Sequence, residues 1–180
     1  MTERKEIKKE YSIALFIALW FSYAFRNTYT MGINIRTIPY IIAIGFNFSQ
    51  PMLVFIYILS GLVIAVIALA LMRLFYNFVI RSARGLRFIS VNNFIAVLSV
   101  ALIFANLLTG AVFWSCYAFP LMYPLVVSIA DLILGTPCFI LAYFYLKKAF
   151  IPPHLHSKVF ITLAVPYAIY HVVLVIGALV

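Results

Sequence analysis

Five apolar runs, each bounded by charge, proline or glycine, organise the chain at about residues 8–25, 51–73, 88–115, 120–147 and 158–180. Each is long enough to cross the hydrocarbon core of a bilayer as a helix. The pattern therefore predicts an all-α, polytopic membrane protein with five transmembrane helices in a single domain, residues 1–180. Another apolar stretch, about 38–48, is too short for a span and is broken from the next run by Ser49, Gln50 and Pro51. It is expected to be interfacial or re-entrant, with Pro51 in the first turn of the second span.

The charges orient these helices. For five spans the successive non-membrane segments carry four basic residues (Arg4, Lys5, Lys8, Lys9), two (Arg26, Arg36), four (Arg73, Arg81, Arg84, Arg87), none, three (Lys147, Lys148, Lys158) and none. Alternate segments thus total eleven against two, and the positive-inside rule places the N-terminus inside and the C-terminus outside. A sixth span at 38–48 would spoil the asymmetry. The first run also has the basic start of a secretory leader, with Ser22-Tyr23-Ala24 as a loose cleavage site, and is expected to stay as a membrane helix. The asymmetry suits a prokaryotic plasma membrane.

Composition excludes whole classes. Of 180 residues, 67% are hydrophobic and 9% charged, which leaves too little polar side chain to cover a soluble surface. A net charge of +9 would suit nucleic acid, but its basic residues fall in short clusters between apolar runs, so none is expected as a partner. G-x-S-x-G, a Walker loop and H-E-x-x-H are missing from the sequence. Cys116 and Cys138 are too far apart along one helix to bridge.

Beyond residue 10 the chain holds one acidic residue, Asp131, near the middle of the fourth run. An ionisable group at that depth is costly and marks a functional candidate. Spans four and five form an antiparallel hairpin about Pro152-Pro153, so Asp131 and His171 come to similar depth, roughly 13–15 Å from the outer helix ends at 1.5 Å per residue. Asn106 and Ser60 fall in the same layer, with Tyr167, Tyr170 and Thr136 as neighbours. This buried polar layer of Asp131, His171, Asn106 and Ser60 has two readings. In one, Asp131 and His171 are a proton-accepting pair, the carboxylate fixing the imidazole tautomer; in the other they are an interhelical hydrogen bond that fixes packing.

Gly135-Thr136-Pro137 is either a broken helix lining a site or a plain proline kink. Ser60-Gly61, Gly110-Ala111 and Gly177-Ala178 allow close helix approach. Arg73, Arg81, Arg84 and Arg87 meet anionic headgroups or dock an acidic partner. Tyr143, Phe144 and Tyr145 read as part of an interfacial aromatic belt. His154 and His156 lie too far from His171 for a bis-histidine haem within one chain, and no metal site is expected.

Three functions fit these residues. The first is a non-catalytic membrane subunit that packs against larger subunits of a complex, an energy-transducing assembly being one setting. The second is a small oligomeric transporter or channel coupled to protons or cations through Asp131 and His171. The third is a redox subunit in which His171 helps hold haem or quinone.

Overall fold

The computed structural model describes residues 9–37, 50–82, 89–115 and 123–179. Among these there are five α-helices: α1 (Lys9–Thr37), α2 (Gln50–Ser82), α3 (Val91–Ser115), α4 (Tyr123–Ala149) and α5 (His156–Leu179). One 3-10 turn, Pro153–Leu155, joins α4 to α5. Three of the helices contain stretches long and apolar enough to cross a membrane: Val54–Phe78, Val91–Val112 and Ser128–Ala149. The stretch at 38–48, together with Arg84 and Arg87, lies outside the described residues.

Local chemistry sets the helix ends. Pro51 occupies the first turn of α2, where its missing N–H is not needed by the helix. Ser90 caps α3: its hydroxyl accepts from the Asn93 amide at 3.2 Å and its carbonyl from Phe94 at 3.1 Å. At the end of α4 the Leu146 carbonyl accepts from both Phe150 and Ile151, while Lys147 and Lys148 sit in the last turn, where the helix dipole favours cations. Pro152 then holds extended backbone and Pro153 starts the 3-10 turn. The turn is clamped from both sides. The Tyr143 hydroxyl donates to the His156 carbonyl at 3.0 Å, and the His156 ring bonds the Ile151 carbonyl at 2.9 Å. Tyr143 is thereby buried, whereas Phe144 and Tyr145 stay exposed.

The helices run past the limits the apolar pattern suggests. α1 continues from Phe25 through Arg26 to Thr37, because a charge ends an apolar run without ending the backbone hydrogen bonding of a helix. Likewise α4 is unbroken through Gly135-Thr136-Pro137, which corrects the broken-helix alternative. Thr136 donates its hydroxyl to the Leu132 carbonyl one turn back.

α1 packs on α2 and α3; α3 also packs on α4, α4 on α5, and α2 makes smaller contacts with α3 and α5. Leu19, Tyr23, Ala65 and Met72 form an apolar cluster between α1 and α2, flanked by Leu98 and Leu102 of α3. A second cluster, with Tyr76, Phe94, Leu146, Leu155 and Val159, fills the end where α1 begins. The outer surface is apolar as well: Phe21, Phe55, Leu74, Phe104, Leu141 and Val173 are all exposed. Asn27, Asn93, Asn106, Asp131 and His171 are buried. A water-soluble protein distributes these types the other way round. Apolar outside and polar inside is the arrangement that lipid selects.

Candidate functional site

Four helices bring polar side chains to one level of the bundle, beyond the apolar clusters and toward the end where α1 finishes. Residues 22–27 of α1 are the hub, because helical spacing turns Ser22, Arg26 and Asn27 inward together. The guanidinium of Arg26 pairs with the carboxylate of Asp131 on α4. Its other terminal nitrogen donates to the Asn106 side-chain oxygen on α3 at 3.2 Å. The amide of Asn106 donates in turn to the Ser22 hydroxyl at 3.1 Å, and Ser22 donates to the Leu19 carbonyl at 2.8 Å. A parallel link joins α1 to α2: Asn27 donates to Ser60 at 3.0 Å, and Ser60 donates to the Tyr57 carbonyl at 2.9 Å.

All four polar positions singled out from the sequence belong to this level. Asn106, Asp131 and His171 are buried and Ser60 is half-buried. Their partners differ from the expectation, however. Asp131 is held by Arg26 and not by His171. Arg26, counted by the charge pattern among the residues outside the membrane, is the missing cation. Only one signal in the sequence could have found it: a buried carboxylate needs an opposite charge, and Arg26 is the basic residue whose depth in an extended first helix matches Asp131.

His171 completes the level from α5. The residue is 5% exposed, and its Nδ1 has no hydrogen-bond partner. The ring lies between two tyrosines of its own helix, with centroids 4.4 Å from Tyr167 and 5.1 Å from Tyr170. Tyr167 is fixed by a 3.2 Å hydrogen bond to Thr136 and by stacking on Phe139. Asp131 and Arg26 both act electrostatically on the imidazole.

Three glycines make the close packing of this level fit. A side chain at Gly61 would meet the backbone of Ala24, one at Gly110 the ring of Phe25, and one at Gly135 the Tyr167 hydroxyl. Trp20 of α1 adds a bond from its indole N–H to the Ile58 carbonyl of α2 at 2.8 Å. Of the basic residues after α2 begins, Arg73 is exposed on its face and Arg81 lies in its last turn. Arg73 takes no part in the layer's hydrogen bonds. His154 is exposed at the opposite end. Among the described residues no three His, Cys, Asp or Glu side chains gather as metal ligands would.

Asn106 is the connector, with one bond to Arg26 and one to Ser22. Replacing it by Leu, which keeps the volume, should cost about 1–2 kcal/mol in detergent unfolding. Ser60→Ala, which breaks a more peripheral link, should cost about half as much. Equal costs would show that the layer is not organised around Asn106.

No family model, characterised protein or solved structure matches the chain.

Proposed function

We propose that the protein is a non-catalytic integral membrane subunit, with five spans, its N-terminus inside and its C-terminus outside, that packs against larger subunits of a membrane complex. The carrying observation is the way the Arg26, Asp131, Asn106 and Ser22 side chains close on one another. Their hydrogen bonds tie α1, α3 and α4 into one unit. Polar groups used up in this way hold a scaffold together and do not line a path.

Two features support the topology. With Arg26 inside the bundle, the basic residues at or beyond the ends of the five apolar runs divide eleven against one, the one being Arg36, so the positive-inside bias becomes stronger. The exposed faces of all five helices carry large apolar side chains, which lipid or neighbouring membrane helices would cover. A prokaryotic plasma membrane is the setting this bias suits best.

The test is native mass after mild-detergent extraction from the source cells, with identification of every co-purifying chain. Larger membrane subunits in fixed stoichiometry are the expected result. A lone monomer or a homo-oligomer would overturn the subunit reading. It would favour the second one, an oligomeric transporter using Asp131 and His171, which Asp131→Asn should inactivate.

A further inference from the structure

The Nδ1 atom of His171 is a buried nitrogen without a hydrogen-bond partner, a condition that among the described residues it shares with the Thr109 hydroxyl, while Asn27, Ser60, Asn106, Arg26 and Asp131 are bonded to one another or to neighbours. Leaving such an atom unsatisfied costs about 1–3 kcal/mol. Its surroundings indicate what it would take up. A metal ion needs several ligands, and among the described residues no three His, Cys, Asp or Glu side chains come together. A proton needs a single lone pair and a nearby negative charge.

We propose that His171 is an interior proton-binding site, with Asp131 as its counter-charge. From α4 the group that acts on the imidazole is Asp131, and from α1 it is Arg26. On its own helix Tyr167 and Tyr170 flank the ring. Tyr23 of α1, next to Ser22, is also buried. α3 carries no charged residue. On α2, Arg73 lies about 20 Å along the axis from the level of Ser60.

The proton comes from water, and binding it takes the cluster of Arg26, Asp131 and His171 from neutral to a net charge of +1. Asp131 then faces two cations. The imidazolium attracts the carboxylate and repels the guanidinium, so each proton bound weakens the link between α1 and α4 and strengthens the one between α4 and α5. The bundle thereby acquires a proton-dependent choice between two interhelical contacts. Such a bistable element is what a pH-responsive subunit requires.

The inference rests on the membrane-bundle reading but not on the existence of partner subunits. The experiment is nitrogen-15 NMR of the imidazole rings in the full chain, reconstituted in lipid nanodiscs and titrated from about pH 8 to pH 4.5. His154→Gln and His156→Gln, both outside the layer, assign the remaining signals by elimination. The expected result is that the His171 ring passes reversibly from one protonated nitrogen to two, with the Arg26 guanidinium signals shifting in step. Asp131→Asn should move the midpoint by about one pH unit or more. If this variant does not fold, the Arg26 shift in the unaltered chain decides the coupling. A His171 ring that stays neutral throughout overturns the proposal. One that titrates without disturbing Arg26 overturns the role of Asp131. Either result leaves the subunit reading to be decided by native mass.

Discussion

Asp131→Ala should be the most damaging single substitution, costing about 3–5 kcal/mol in unfolding from detergent micelles. The reason is the partner left behind. The Arg26 side chain is 19% exposed and Asp131 8%, so removing the carboxylate leaves a guanidinium in the bundle without its opposite charge. Water cannot fully take over, because the surrounding faces are apolar. Removing both charges is a different matter. The double variant Arg26→Met with Asp131→Leu abolishes the desolvation cost along with the attraction, and it should recover most of the loss. Expression in the membrane fraction should follow the same order: the single variant depleted, the double variant near normal. Equal depletion in both would mean that the two residues do not act as a pair.

The second large effect is expected at Gly61. A Cβ built there would lie 2.6 Å from the Ala24 nitrogen, 2.8 Å from its Cα and 2.9 Å from its Cβ. These are atoms of a helix and cannot rotate aside, so any side chain must push α1 away from α2. Separation would also stretch the Asn27 to Ser60 and Trp20 to Ile58 bonds, which span the same contact. Gly61→Leu should therefore cost at least about 2 kcal/mol, in the upper part of the range for overpacking. Gly110→Ala is the control. Its nearest neighbour, at 2.6 Å, is the Phe25 ring, which is 38% exposed and able to turn outward, so its cost should stay below about 1 kcal/mol. Unfolding followed by circular dichroism in graded detergent separates the two. Similar losses at both glycines would refute the backbone-contact argument.

Both effects arise at the same segment, residues 22–27, and that segment shows why tertiary structure was needed. Read along the chain, Phe25 closes an apolar run and Arg26 opens a polar one, so the boundary of the first span falls between them. In the folded protein this boundary does not exist. The helix continues, and the charge that seemed to end it becomes its strongest interior contact.

By itself the sequence determined that the chain is helical and apolar on its outside, where the five helices lie to within a few turns, and which polar side chains share one depth. These follow from quantities local to the chain: the length of apolar runs, the proline positions, and a fixed rise per residue that turns sequence distance into depth. Depth says nothing about azimuth. Which way Asp131 faces around its helix, and hence whether it meets His171 or Arg26, depends on how α4 is rotated against α1 and α3. That rotation is fixed by packing between residues far apart in the chain, such as Leu146 of α4 in one cluster with Phe94 of α3, and Gly135 of α4 against Tyr167 of α5. Only the tertiary structure could pair Asp131 with Arg26 and leave Nδ1 of His171 without a partner, because a buried charge takes the strongest opposite charge that the packing brings within reach.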